Sequence, residues 1–261
     1  MSLRLAMSQI GWEPGDEMAA MELLREAGCA GLEIAPTRVA GPHPYDDREA
    51  AANFAAGIRR AFGLSVCSMQ SIWYGQAGSI FGPEREALLE YTKGAVRFAE
   101  AAGCGNLVFG CPKNRVLPEG QSPKDALPFF KAIGDFAADH GAVIALEPNP
   151  PLYGTNFINT TAEALAFVAE VDSPGLKVNL DTGTMIENGE AVAALAGHVT
   201  VLNHVHISEP NLEPIQRRDL HTELAALLAG EGYGGFVSIE MRARPLADVK
   251  ATLDYVAEVF G

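Results

Sequence analysis

At 261 residues, with 48% apolar residues and no low-complexity block, the chain is not disordered and is long enough for one large α/β barrel or two small domains. Its 19 Lys and Arg against 33 Asp and Glu leave a net charge of −14, which repels phosphodiester backbones and anionic membranes and argues against nucleic acid as a partner. No run approaches the roughly 18 apolar residues of a spanning helix, and the start is wrongly flanked for a secretory signal, so a cytoplasmic protein with no membrane partner is expected.

Short apolar runs of strand character alternate with Ala-, Leu- and Glu-rich stretches of helical character along the chain. LRLAMSQI (3–10) with EMAAMELLREAG (17–28) makes the first pair. GLEIAP (31–36), LSVCSMQ (64–70) and NLVFGC (106–111) open the next three, each followed by a helical stretch. The second half continues with AVIALEP (142–148), LKVNLDTG (176–183), VLNHVHIS (201–208) and FVSIEM (236–241); the sixth unit carries its helix in NGEAVAALAG (188–197). Gly28, Gly63, Gly103, Gly141 and Gly197 fall where helices should stop.

Eight β/α units in series imply parallel strands joined by crossover helices, which is the pattern and size of a closed (β/α)8 TIM barrel. With no Pro/Gly/Ser linker, residues 1–261 read as a single domain; a six-strand doubly wound sheet is the alternative fold. No G-x-G-x-x-G follows the first strand, which opposes dinucleotide binding. Cys29, Cys67, Cys104 and Cys111 form no C-x-x-C pair and read as buried free thiols.

In such a barrel the chemistry sits at the C-terminal ends of the strands. Four consecutive strand ends carry Glu147 (IALEPNP), Asp181 (VNLDTG), His206 (HVHIS) and Glu240 (VSIEM). Three carboxylates brought together without a cation repel one another; a divalent metal removes that penalty. The oxygen-rich set with one imidazole and no thiolate suits Mn²⁺, Mg²⁺, Co²⁺ or Fe²⁺ better than a structural Zn²⁺ site. His204 lies two residues before His206, on the same strand face and one layer deeper, and reads as a group supporting the ligands from behind. His43, His140, His198 and His221 read as solvated surface histidines.

The strand-end motifs ALEPNP, NLDTG, HVHISEP and SIEM resemble those of the xylose isomerase-like TIM-barrel superfamily, closest to its ketose 3-epimerase and hydroxypyruvate isomerase branch. The resemblance implies one divalent ion, with Mn²⁺ favoured among Mn, Mg, Co, Fe and Zn, bound by Glu147, Asp181, His206 and Glu240. It further implies Glu147 and Glu240 as the acid/base pair, a small carbohydrate substrate, and a homo-oligomer as a compatible state. The implied reaction is isomerisation or epimerisation of a keto sugar or its phosphate, by proton abstraction next to a carbonyl.

Three positions depart from the epimerase pattern: Thr184 stands where a histidine is usual, Tyr153 stands in place of a glutamate, and Arg217 and Arg218 are candidates for an arginine expected some residues earlier. Substrate contacts are assigned to Lys113, Asn114 and Arg115 of GCPKNR, whose two cations could receive a phosphate or carboxylate, and to Arg217, Tyr153, Glu33, Gln70 and Trp73. A metal-dependent lyase of the same superfamily, acting as an inosose or dehydroshikimate dehydratase or as a 3-keto-glycoside deglycosidase, is the alternative. An AP endonuclease is a remote one, opposed by the charge and by Thr184.

Overall fold

A computed structural model describes residues 2–261. Its strands are β1 (Arg4–Ser8), β2 (Gly31–Ile34), β3 (Ser65–Met69), β4 (Asn106–Phe109), β5 (Val143–Leu146), β6 (Leu176–Asp181), β7 (Leu202–Ile207) and β8 (Phe236–Ile239). All neighbours pair in parallel, and β1 pairs with both β2 and β8, closing the (β/α)8 barrel. The helices are α1 (Glu17–Glu26), α2 (Pro36–Ala40), α3 (Arg48–Phe62), α4 (Arg85–Ala102), α5 (Leu127–Asp139), α6 (Thr161–Val171), α7 (Thr182–Asn188), α8 (Asp219–Gly230) and α9 (Leu246–Phe260).

Local chemistry accounts for the helix limits. The Asp47 side chain accepts from Ala50 N at the start of α3, and Thr160 with Glu163 forms a reciprocal capping box on α6. Gly63 and Gly103 end α3 and α4 in the left-handed conformation, where a Cβ would be strained.

The sixth unit differs from the sequence reading. Its helix starts immediately after β6, at Thr182, because Asp181 Oδ1 accepts from Thr184 N at 2.5 Å and nucleates the turn. Gly189, with φ 65°, then stops it, and the segment read as a helix over 188–197 is reduced to a short 3-10 turn at Val192–Leu195.

The strands place polar and apolar residues on opposite faces. Leu5, Met7, Leu32, Ile34, Ile144, Leu146, Val178, Leu180, Val205, Ile207, Val237 and Ile239 all belong to one apolar cluster that joins strands to helices. Their alternates, Ser8, Glu33, Asn179, Asp181, His204, His206 and Ser238, are buried on the other face, inside the barrel. The chain therefore carries its apolar core in the strand–helix layer and a polar, hydrogen-bonded interior: Asn203 Nδ2 donates to Asn106 Oδ1 at 2.7 Å, and Asn106 Nδ2 to Ser68 Oγ at 2.9 Å.

The two faces should respond oppositely to truncation. Leu180→Ala, in the fully buried apolar layer, is expected to cost about 2–5 kcal/mol in urea unfolding. Ser238→Ala, which removes a buried hydroxyl that has no hydrogen-bond partner, should change stability by less than about 1 kcal/mol.

Candidate active site

The register of the closing strands creates the site. Asp181 at the end of β6 lies opposite His206 of β7, and His206 lies opposite Ser238, two residues before Glu240. Glu147 and Glu240 each follow the last residue of a strand and are tied to the neighbouring one, Glu147 N donating to Phe109 O and Glu240 N to Ile207 O. Ligand atoms of Glu147, Asp181, His206 and Glu240 all lie within 4.8 Å of one another. His206 Nδ1 is 3.1 Å from Glu147 Oε1 and 3.2 Å from Glu240 Oε2.

Each carboxylate has its own environment. Glu147 Oε1 accepts from Asn179 Nδ2 at 2.7 Å and Oε2 from Asn149 Nδ2 at 3.0 Å. Burial pushes the Glu147 carboxyl upward, but the hydrogen bond and charge of His206, then Asn149 and Arg115, outweigh it and hold it below the usual range. Asp181 Oδ2 accepts from Ser208 Oγ at 2.5 Å while Oδ1 caps α7, so both oxygens are fixed. Burial, followed by the charge of Glu147, raises Asp181 to about 6.

Burial raises Glu240 to about 7 against the opposing effect of His206, with Glu147 and Glu33 adding repulsion. Burial works against the charged form of His206 as well, but Glu33, Glu240 and Glu147 together hold its imidazole protonated well above the ordinary range. In the protein alone this imidazolium is the cation of the cluster.

The residues fit a divalent ion on two grounds. Three carboxylates and one imidazole converge on a single point, and burial, with repulsion from Glu147 added, raises both Asp181 and Glu240 above the ordinary carboxyl range. With Nδ1 deprotonated the donor set carries formal charge −3, which a dication offsets better than one proton does.

Glu147, Asp181 and Glu240 border a cavity of about 230 Å³, lined also by Gln70, Asn149, Tyr153, Ser208 and Leu212. Gln70 and Tyr153, assigned to substrate contact from the sequence, are thus part of the cavity wall. Tyr153 OH accepts from Asn211 N at 2.9 Å, and burial raises the phenol to about 12.

Five other residues assigned to substrate contact from the sequence lie outside the cavity lining. Arg115 is fully buried, its Nη2 donating to Glu147 O at 2.7 Å and to Asn149 Oδ1 at 2.6 Å, so it braces the site from behind. Asn114 Nδ2 donates to Gly78 O at 2.8 Å and ties two loops together. Lys113 does not line the cavity. Trp73 packs edge-on against Phe109 and Phe129 and donates to Thr92 Oγ1 at 2.9 Å, as part of the core. Arg217 is two-thirds exposed, paired with Glu258 and laid over the Tyr255 ring.

Glu33, also assigned to substrate contact, is fully buried outside the cavity lining, with Oε2 2.9 Å from His206 Nε2 and 3.1 Å from His204 Nε2. His221, read as a surface residue, is buried with Nδ1 2.8 Å from Tyr255 OH. Arg218 makes a two-pronged pair with buried Glu209, and Thr184 Oγ1 donates to Pro148 O at 2.8 Å.

Asn149 and Ser208, which the sequence reading did not single out, line the cavity and hydrogen-bond to Glu147 and Asp181. The signal was available in the chain: each lies two positions after a strand-end ligand, Glu147 and His206, and extended backbone places residues two apart on one side. Gly110 was missed for a different reason, since what matters there is the space it leaves. A Cβ at Gly110 would lie 2.8 Å from Glu147 Oε2.

With fold and geometry in place, the family can be stated. A model described as xylose isomerase-like TIM barrel matches residues 21–259, and the chain belongs to that family. Over 82 residues it is 44% identical to an L-ribulose 3-epimerase of Methylomonas sp. (strain DH-1); the match covers 31% of this chain and 28% of that relative's length. Across 239 residues it is 28% identical to a putative hydroxypyruvate isomerase of Mus musculus, covering 85% and 84% of the two chains. The solved D-psicose 3-epimerase of Clostridium cellulolyticum H10 with D-tagatose superposes with a TM-score of 0.78 at 18% identity, covering 99% of each chain. No helix among the described residues is long and apolar enough to cross a membrane.

Two measurements test the site as a cation site. Since His206 and Glu240 hold protons at neutral pH, a divalent ion must displace them. Titration calorimetry in two buffers of different ionisation enthalpy should therefore show proton release, with affinity falling as the pH drops below about 7. Gly110→Ala should displace the Glu147 carboxylate and weaken Mn²⁺ binding by on the order of tenfold. Wild-type affinity in that variant would contradict the packing described.

Proposed function

We propose that this protein is a divalent-metal-dependent epimerase or isomerase of a small, uncharged keto sugar, with Glu147 and Glu240 as its acid/base pair. The observation that carries the reading is the pairing of two carboxylates of opposite poise on one cavity. Glu147 is stabilised as the ionised base by Asn149, Asn179 and Arg115, while Glu240 is pushed toward the protonated acid by burial.

Glu147, Asp181, His206 through Nδ1, and Glu240 would hold the ion, which would supply positive charge where negative charge builds on a substrate oxygen. Glu147 takes the proton from the carbon beside the carbonyl, and the Glu240 carboxyl returns a proton to that carbon or its neighbour. Tyr153 and Asn149, both on the cavity wall, offer polar atoms to substrate hydroxyls, while Ile10, Val108 and Leu212 present apolar surface to its C–H face. Arg115 takes no part in contact and keeps the Glu147 and Asn149 segments in register.

Charge favours a neutral sugar over its phosphate. Among the described residues the cavity wall carries three carboxylates and no lysine or arginine, and Arg115, expected to meet a phosphate, is turned to Asn149 instead. The similarity to an L-ribulose 3-epimerase supports a small uncharged ketose.

Incubating the Mn²⁺-loaded protein with a panel of free ketoses in D₂O tests the reading. Deuterium should enter the carbon next to the carbonyl with the skeleton intact; loss of water or of an aglycone would instead support the lyase alternative. Glu147→Gln and Glu240→Gln should each reduce turnover by about 10²-fold or more, and full activity in either would overturn the assignment.

A further inference from the structure

The most unusual buried group outside the cavity is Glu33. It sits at the inward face of β2, opposite Ser8 in the strand register, with no exposed surface and with Oε1 lacking any partner. Its other oxygen, Oε2, receives the Nε2 of His206 at 2.9 Å in hydrogen-bond geometry. The Nε2 of His204, one layer deeper on β7, lies 3.1 Å from the same oxygen, out of line for a good hydrogen bond. The two rings stand nearly perpendicular, with centroids 5.2 Å apart. An isolated carboxylate at such depth is heavily penalised, and this one is retained against two imidazoles and nothing else.

We propose that Glu33 is the positioning residue of the site: by accepting the Nε2–H of His206 it fixes ring orientation and tautomer, so that Nδ1 is the nitrogen presented to Glu147, Asp181 and Glu240. This rests on the reading of those four residues as a divalent site. Without an acceptor at Oε2, the imidazole can rotate about its Cβ–Cγ bond or carry its proton on Nδ1, and either change removes a nitrogen donor from the cluster. His204 closes the other side of Glu33 and keeps its carboxylate from swinging down the barrel axis. Burial opposes the charged carboxyl, but the charge of His206 and the contacts of both imidazoles hold Glu33 ionised, ready to accept.

The reach of the group excludes the simpler assignment. Glu33 is not among the residues lining the cavity, and its Oε2 lies within 3.1 Å of the Nε2 atoms of the two rings. Its effect on chemistry must pass through His206.

The test uses the full chain loaded with Co²⁺, whose paramagnetism shifts the ring protons of a bound imidazole out of the crowded spectrum. The wild type should show one shifted, solvent-exchangeable line from His206 Nε2–H, narrow because the proton is buried and held by Glu33. Glu33→Ala should lose or broaden that line and weaken Co²⁺ binding by roughly 10- to 100-fold. Glu33→Gln, whose amide oxygen can still accept, should retain a line at an altered position and bind with intermediate affinity. An unchanged line with affinity within twofold of wild type in Glu33→Ala overturns the proposal. If Glu33→Ala does not fold, the same two readings in Glu33→Gln decide it: unchanged position and affinity overturn it. A wild type that takes up no Co²⁺ overturns the metal reading itself, and with it this inference, and is recognised before any variant is made.

Discussion

Everything at the mouth of this barrel depends on one electrostatic constraint: three carboxylates are held around a single buried imidazole. In water they would separate; the strand ends forbid it. The protein alone meets the constraint with a protonated His206 and a Glu240 raised to about 7, and a dication would meet it better. The same crowding differentiates the two glutamates. Glu147, wrapped by two asparagine amides with an arginine behind, stays charged, whereas Glu240 lacks such donors and is driven toward its neutral form. Opposite shifts in proton affinity follow from environment, although the side chains are chemically identical.

That constraint is tolerable because the barrel interior is polar. Many barrels of this type fill their centre with bulky branched residues; here the inward positions hold mostly Ser, Asn, His and Glu beside a small apolar cluster of Ala6, Cys67 and Phe236, and the main apolar core lies in the layer between strands and helices. A polar interior offers hydrogen-bond partners to groups below the site. It lets Glu33 and His204 sit beneath His206 where leucines would otherwise pack. The rigidity of the catalytic end thus comes from a hydrogen-bonded column along the barrel as well as from the strand ends themselves.

The pocket above the cluster departs more from its relatives' residue pattern than the cluster does. Thr184 is used up by the Pro148 carbonyl, Arg218 by Glu209 and Arg217 by the outer surface, so none of them contacts a ligand in the cavity. Tyr153 does line it. Among the described residues the wall carries carboxylates, amides and hydroxyls but no lysine or arginine.

The sequence alone determined the barrel and the cluster, because both follow from short-range periodicity. Strand–helix alternation repeats eight times, and a residue at a strand end is placed by its neighbours two positions away: Glu147, Asp181, His206 and Glu240 could be read from IALEP, VNLDT, HVHIS and VSIEM. Only tertiary structure decided which way the remaining polar groups face. Arg115 and Glu33 carry the same charges in the sequence as any cavity residue would, yet one is drawn to the Glu147 carbonyl and the other to two imidazoles across the barrel. The physical reason is that a buried charge goes where partners exist, and those partners lie 32 and 173 residues away along the chain. Separations of that length are set by barrel closure, which no local pattern encodes.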